Sequence, residues 1–266
     1  MRLGLGLFID SNCVSSGFTP LFSGIAKAQT AWFLPAQLWA DYTDCCIVRR
    51  ASDDAEQIIT YVDGLPDNDL IASFCGVSLG YLSKADDQSG NGKHWIQATK
   101  TKQPLIYDGS SVVLLNGHLA MQSDTATSTQ DLLVATITGS ATTTAFHVYK
   151  TLTNSTCINS SSGSAVYGIA SVGQTSNNYG DAGTPTTYVN GSSIGATRGN
   201  LYTATFDKQV VNTYINLDLS TWTEYRTTYE ADSITAPTLS QGGIIFDTAV
   251  SRTDIEAILN DFLSVY

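Results

Sequence analysis

The chain has 266 residues, of which 13 are Lys or Arg and 24 are Asp or Glu, so its formal net charge is −11. Charged residues make up only 14% and aromatic residues 10%, which excludes a coiled coil and a disordered chain. A nucleic-acid ligand is disfavoured because the basic residues do not cluster, and no apolar run reaches the roughly 18 residues of a membrane span.

Residues 1–30 are predicted to be a separate N-terminal arm, because they are rich in Gly and Ser. Two interpretations stay open: an edge strand of the main domain, or an arm that anchors the chain to a partner protein. The start of the chain lacks the apolar stretch and the small-residue cleavage site typical of a signal peptide. We therefore expect synthesis in a cytoplasm. The predicted anchoring residues are apolar and partly alternate with glycines: Leu3, Leu5, Leu7, Phe8 and Ile9.

Residues 31–266 are predicted to form one all-β domain. Strands over Cys46–Arg50 and Glu56–Val62 flank a turn at Asp53–Asp54, and Asp67 is the predicted N-cap of a short helix. The segment 86–92 then reads as a loop, because it consists of turn-forming residues.

From residue 103 to residue 250 the chain alternates short β-type runs, Tyr202–Phe206 among them, with turns. The dipeptides Asn116-Gly117 and Asn190-Gly191 predict tight hairpins, since both residue types tolerate positive φ. Apolar residues at helical spacing between 255 and 263 predict a C-terminal helix. Regular short strands with frequent turns predict two sheets packed face to face.

Three segments carry a family resemblance: Arg49-Arg50-Ala-Ser-Asp53-Asp54-Ala-Glu56-Gln57, Asp87-Gln-Ser-Gly-Asn-Gly92, and the stretch from Gln97 to Pro104. They resemble concanavalin A-like (LamG-type) jelly-roll domains of bacteriophage tail and head appendage proteins. They are also similar to the catalytic sandwich of fungal α-L-arabinofuranosidases, which carry a similar Asp-Gln-Ser-Gly-Asn-Gly loop. The resemblance covers roughly residues 35–266 and implies a jelly-roll β-sandwich with a few short helices and a C-terminal helix.

The phage resemblance leads us to expect a virion structural protein, a tail fibre or a capsid decoration made in the host cytoplasm. Its expected partners are other virion proteins and further copies of itself, and it is expected to attach to host or environmental glycans without catalysis. The alternatives are a glycoside hydrolase of the arabinofuranosidase type and a stand-alone carbohydrate-binding module.

A glycan site is predicted from aromatic rings, which offer apolar faces to sugars, and from polar residues of the 86–92 loop. The predicted residues are Tyr81, Asp86, Asp87, Asn91, Trp95, Tyr179 and Trp222. A place in the sandwich core is the alternative for the tryptophans. Asp86, Asp87 and Asn91 carry the oxygen ligands that Ca²⁺ prefers, with a structural turn as the alternative. No other cofactor and no metal site is predicted.

No catalytic residue is predicted. A glycosidase needs two carboxylates about 5–5.5 Å apart for retention or about 6.5–9.5 Å apart for inversion. The hydrolase alternative would draw that pair from Glu224, Glu230 and Asp86 or Asp87, whereas solvated surface carboxylates are the competing interpretation. The adjacent Cys45 and Cys46 are predicted to be two buried thiols in a strand, with a strained vicinal disulfide as the alternative.

Overall fold

A computed structural model describes residues 18–123, 133–135, 137–152, 155–161, 166–227, 238–248 and 250–264. The helices are α1 (Asn68–Cys75), α2 (Arg198–Thr205) and α3 (Arg252–Leu263), with one 3₁₀ turn at Lys100–Lys102. The strands are β1 (Thr30–Phe33), β2 (Asp44–Arg50), β3 (Glu56–Val62), β4 (Leu65–Pro66), β5 (Gly80–Ala85), β6 (Trp95–Ile96), β7 (Leu105–Tyr107), β8 (Leu114–Leu115), β9 (His118–Leu119), β10 (Met121–Gln122), β11 (Leu133–Ala135), β12 (Thr143–Thr151), β13 (Ser155–Ser160), β14 (Val166–Ser171), β15 (Thr186–Val189), β16 (Ser192–Ser193), β17 (Gln209–Leu217), β18 (Glu224–Arg226) and β19 (Thr238–Phe246).

The strand pairings define two antiparallel layers. The first layer has the order β16-β15-β17-β12-β19-β1. The second has the order β3-β2-β5-β6-β11-β18-β13-β14, and β7 pairs with β5 beside β6. The short strand β10 pairs with both β19 and β7 and thereby joins the layers at one side.

The main core lies between the two layers. Trp32 and Tyr214 from the first layer and Trp95 and Tyr225 from the second all belong to one buried cluster. The ring planes of Trp95 and Tyr225 are nearly parallel, at 15°, with centroids 6.2 Å apart. Burial of such large aromatic surfaces is the main stabilising contribution in a sandwich of this kind. The predicted all-β sandwich is confirmed.

The outer face of the first layer is covered by α3 and by the segment before β1. Phe33, Phe146 and Phe246 point to this side and form a second buried cluster with Ile255 and Leu259 of α3. The predicted C-terminal helix therefore forms because its apolar stripe has a sheet face to bury against.

Both predicted Asn-Gly hairpins form. Asn190 and Gly191 have φ values of 49° and 82° between β15 and β16, and Asn116 and Gly117 have φ values of 49° and 81° between β8 and β9. One expectation is wrong: residues 202–205 belong to α2 rather than to a strand. The Thr197 side chain accepts a hydrogen bond from the Asn200 backbone N–H at 3.1 Å and caps that helix.

The described part of the predicted arm, residues 18–30, packs on the sandwich. Phe22 is fully buried, and its ring meets Trp39 edge-on at 5.3 Å between centroids. Leu3, Leu5, Leu7, Phe8 and Ile9 lie outside the described residues, so the anchoring role stays a prediction. Among the residues described, no helix has the length and apolar character that crossing a membrane would require.

Candidate functional site

The 86–92 loop is fixed by its own side chains, which point into the protein. The fully buried Asp87 carboxylate accepts hydrogen bonds from the backbone N–H groups of Ala31 at 2.9 Å, Ser89 at 3.0 Å and Lys93 at 2.8 Å. Gln88 is also fully buried, and its side chain accepts from the Leu38 N–H at 2.6 Å. These bonds satisfy backbone donors that burial would otherwise leave without partners.

The neighbouring polar residues of the loop are likewise bound to protein groups. Asp86 receives Lys84 Nζ at 2.7 Å and lies 3.0 Å from His94 Nδ1. Burial alone would raise the pKa of Asp86, but the hydrogen bonds from His94 and Lys84 outweigh it and lower the pKa. Asn91 donates its amide to the carbonyls of Ala28 and Gln29 at 3.0 and 2.9 Å.

The loop residues proposed for Ca²⁺ are therefore structural side chains. In the part of the chain that the structure describes, no group of three or more His, Cys, Asp or Glu side chains is arranged to hold a metal ion. The loop contains the oxygen atoms that Ca²⁺ prefers, but Asp87 directs both carboxylate oxygens to backbone N–H groups, and Asp86 directs Oδ1 to a lysine and a histidine. Asn91 uses its amide NH₂ to donate to two backbone carbonyls.

Two of the aromatic rings predicted for sugar stacking lie in the core. Trp95 is fully buried, and its indole N–H donates to Thr30 Oγ1 at 3.0 Å. Trp222 is 3% exposed and packs beside Tyr167 and Tyr225. Neither ring offers a face to solvent, so we remove both, together with Asp87, from the predicted glycan site. Tyr179 is partly buried against the same core cluster.

A polar cleft lies on the outer face of the second layer, where the Asp53–Asp54 turn meets the segment 96–103. It has a volume of about 520 Å³, and its carboxylates are Asp54 and Glu56. Most of its lining belongs to the segments that carry the family resemblance. The remaining lining residues are Ile47, Arg49, Ser83, Lys84, Ile96, Gln97, Ala98, Lys100 and Gln103.

A buried arginine organises the floor of this cleft. Arg49 is 6% exposed, and its Nε donates to Gln103 Oε1 at 2.6 Å. Its Nη1 donates to Asp54 Oδ1 at 2.9 Å, and its Nη2 donates to the Lys100 carbonyl at 3.3 Å. The guanidinium carbon also lies 5.0 Å from the ring centroid of Tyr81, a predicted site residue that thus borders the cleft.

Asp54 stands between two cations at the cleft wall. Lys100 Nζ lies 2.8 Å from Asp54 Oδ2, opposite the bond from Arg49. The hydrogen bond from Lys100 is the largest cause that lowers the pKa of Asp54, with a further contribution from Arg49. Asp54 is therefore ionised at neutral pH. Glu56 begins β3, is exposed, and pairs across the hairpin with Arg49.

Of the carboxylates predicted for a hydrolase pair, Glu224 shares this outer face. It precedes the core residue Tyr225 on β18, so it points to the opposite side of the strand. Arg226 Nε donates to Glu224 Oε1 at 2.8 Å. Asp86 and Asp87 are buried in the loop, and Glu230 lies outside the described residues. The structure thus brings Asp54 and Glu56 together, a pair that the sequence did not single out.

The adjacent cysteines are free buried thiols, as predicted. The Cys45 Sγ lies 3.8 Å from the Leu34 carbonyl oxygen. The hydrogen bond with Cys45 and burial raise the pKa of Cys46, which keeps that thiol protonated.

The sequence matches no family model and no curated protein sequence. Solved structures of similar fold are arabinofuranosidases. A GH54 α-L-arabinofuranosidase soaked with a cyclic sulfate inhibitor has a TM-score of 0.57 and 14% identity, and an arabinofuranosidase complexed with arabinofuranosyl-α-1,2-xylobiose has a TM-score of 0.58 and 13% identity. A GH54 mutant with one glutamate changed to glutamine, soaked with 4-nitrophenyl α-L-arabinofuranoside, has a TM-score of 0.54 and 14% identity. Each match covers 89% of this chain and 62% of the other.

These findings correct the predicted function. We expected a non-catalytic bacteriophage virion protein, but the structures of similar fold are enzymes that act on arabinofuranosides. The predictions of a virion protein, of a virion location and of a non-catalytic chain are therefore wrong. At this level of identity the likeness shows the fold, a β-sandwich shared with arabinofuranosidases. The predicted homo-oligomer and glycan partner stay predictions.

Proposed function

We propose that the chain is the sandwich part of a glycoside hydrolase that acts on α-L-arabinofuranosides. The observation that carries the proposal is the fold shared over 89% of the chain with three arabinofuranosidase structures. The chain spans 62% of the length of those chains, so the proposal concerns the sandwich that they have in common.

The cleft on the second layer supports this proposal through its size and its chemistry. Small-molecule sites commonly have volumes of about 300–1,000 Å³, and the cleft has about 520 Å³. Its lining offers amide, hydroxyl, ammonium and carboxylate groups from Gln97, Gln103, Ser83 and Lys100 as well as the two acids. A sugar, whose surface is mostly hydroxyl groups, needs such a mixture of donors and acceptors.

Asp54 and Glu56 are the proposed catalytic pair. Glycoside hydrolysis needs one carboxylate that stays ionised and one group that delivers a proton to the leaving oxygen. Asp54 fits the ionised role of nucleophile, because Lys100 and Arg49 lower its pKa, and the same lowering makes it a weaker base for activating water. Glu56 lines the same cleft two positions further along the chain and is assigned the role of acid.

The test is hydrolysis of 4-nitrophenyl α-L-arabinofuranoside by the wild-type chain and by Asp54→Asn and Glu56→Gln. General acid–base groups typically contribute a factor of about 10²–10⁴, so each variant should lose at least about 100-fold in kcat. Asp53→Asn is the matched control, since Asp53 pairs with Arg50 at 2.7 Å and does not line the cleft. Its kcat should stay within about twofold of wild type.

Two outcomes would contradict the proposal. If the wild-type chain does not hydrolyse arabinofuranosides, the proposed function is refuted. If activity is lost in Glu224→Gln but kept in Asp54→Asn, the catalytic carboxylate is Glu224 rather than Asp54. The anomeric configuration of the released sugar, followed by NMR, then distinguishes retention from inversion.

A further inference from the structure

An apolar patch lies on the outer face of the second layer, at the hairpin of β3 and β4. Ile58 and Val62 point outward, because they alternate on β3 with core residues. They are 49% and 54% exposed, and Leu65, which pairs with Val62 across the hairpin, is 49% exposed. Apolar side chains that are grouped on a surface mark a place where another segment or a partner binds.

The described chain begins beside this patch. The ring of Phe18, itself partly exposed, lies against the turn between β3 and β4, since a Cβ on Gly64 would stand 1.9 Å from two of its atoms. The Gly64 carbonyl accepts a hydrogen bond from the Gln37 N–H at 2.9 Å, which fixes the turn to the body of the protein. Residues 10–17 can span about 26–29 Å when extended, whereas β3 is about 20 Å long. Residues 3–9 can therefore reach every part of β3.

The edge of β3 that faces away from β2 is largely free of strand partners among the described residues. There β4 pairs only with the last two residues of β3. The Thr60 carbonyl accepts from the Asp67 N–H at 3.1 Å on this side. Since backbone groups point to the same edge at every second residue, those of Ile58 also face away from β2. An edge of this kind accepts an added strand through main-chain hydrogen bonds.

The pattern of residues 3–9 fits both the edge and the patch. In an extended chain every second side chain points to the same face, roughly 6.6 Å from the last. One face of the segment would then carry leucines and the other only glycine hydrogens, from the alternation of Leu3, Leu5 and Leu7 with Gly4 and Gly6. On the inner face α1 lies beside β3, and its Ile71 shares the core cluster with Ile59, so glycines suit the side where the chain approaches other elements closely.

We infer that residues 3–9 lie extended along the free edge of β3, with their three leucines on the apolar patch. A tethered segment has an effective concentration of about the millimolar order, which favours it over a free partner. Ile58 pairs across the strands with Ile47, which lines the polar cleft, so the docked segment borders that cleft. The inference does not depend on hydrolysis, because its test measures only the backbone of β3.

The test is hydrogen exchange of the backbone amides, followed by NMR, in the full chain and in a variant with Leu3→Ser, Leu5→Ser and Leu7→Ser. We expect the Ile58 amide to exchange at least about tenfold faster in the triple variant, because it loses its partner. The Ile59 amide faces β2 instead. Its exchange rate should be the same in both proteins, which shows that the variant is folded.

A variant of the patch tests the same contact from the other side. Val62→Ser should also speed the exchange of the Ile58 amide. Val77→Ser is the matched control, since Val77 is exposed and lies outside the patch, and it should exchange like wild type. An Ile58 amide that exchanges equally fast in wild type and in the triple variant would overturn the inference and leave the patch free for a partner protein. Protection that is lost on dilution would also overturn it, since a second copy would then cover the edge.

Discussion

Replacing Asp87 by asparagine tests how the 86–92 loop is held. The carboxylate uses Oδ1 for the N–H groups of Ala31 and Ser89, and Oδ2 for the Lys93 N–H and the Ser89 hydroxyl. An asparagine of the same shape keeps the bonds at Oδ1, but its NH₂ group then faces the Lys93 N–H, donor against donor.

The cost follows from these contacts. One buried donor without a partner costs about 1–3 kcal/mol, and hydrogen bonds to a charged acceptor are worth about 1 kcal/mol more than neutral ones. We therefore expect Asp87→Asn to lower the free energy of unfolding by about 3 kcal/mol. For a chain of this size that corresponds to a fall in Tm of about 6–12 °C.

The assay is urea unfolding followed by tryptophan fluorescence, with Tm from calorimetry as a second measurement. Asp181→Asn is the matched control, because Asp181 is exposed, and its free energy of unfolding should change by less than about 0.5 kcal/mol. A loss below about 1 kcal/mol in Asp87→Asn would refute the reasoning, since the loop would then not depend on the charge of Asp87.

Three further predictions concern the loop and the core. Calcium chloride at about 1 mM should leave Tm unchanged within about 1 °C, whereas a Ca²⁺ site with a Kd of about 10 μM would stabilise the fold by about 2.7 kcal/mol. Burial lowers the pKa of His147 to about 3. In the unfolded chain this histidine binds its proton near the usual pKa of about 6.5. The contribution of His147 to the free energy of unfolding is therefore complete above about pH 6.5, and the free energy of unfolding falls by about 3 kcal/mol between pH 7 and pH 4. Gly139→Ala should lower the free energy of unfolding by about 3 kcal/mol or more, because its Cβ would overlap the Leu219 carbonyl oxygen.

The predictions for His147 and Gly139 each have a comparison variant, and all three predictions have an outcome that would contradict them. His147→Gln should reduce the acid sensitivity in urea titrations at pH 7 and pH 4, and an unchanged pH dependence would show that other groups cause it. Thr142→Ala, at an exposed position near Gly139, should be close to neutral, and a Gly139→Ala variant as stable as Thr142→Ala would contradict the overlap. A Tm that rises by several degrees with Ca²⁺ would restore the metal interpretation of the loop.

The features that sequence reasoning predicted well are local ones. The Asn190-Gly191 hairpin depends on two residues that accept positive φ, and the Asn-Gly dipeptide alone is enough to predict such a turn. The stripe on α3 repeats at the helical period over 12 residues. The regular spacing of short strands and turns was sufficient to predict an all-β sandwich.

The site could not be read from the sequence, because it depends on contacts across the chain. Arg49 is conspicuous beside Arg50, but its partners Gln103 and Lys100 lie about fifty positions further on. Trp95 stands in a strand of two residues, where a shift of one position would exchange core for surface. The 86–92 loop has the composition of a Ca²⁺ loop, and only the direction of Asp87 shows its structural role.

The position of β19 has a consequence for synthesis of the protein. This strand, Thr238–Phe246, lies between β12 and β1 and pairs with both. Strand β1 ends at Phe33, so its partner is translated about two hundred residues later. Contacts so distant in sequence slow folding, and the edges of β1 and β12 that face β19 stay unpaired while the ribosome completes the intervening chain. Unpaired strand edges are templates for aggregation, so the edges of β1 and β12 that β19 covers leave the incomplete chain open to aggregation until β19 is made.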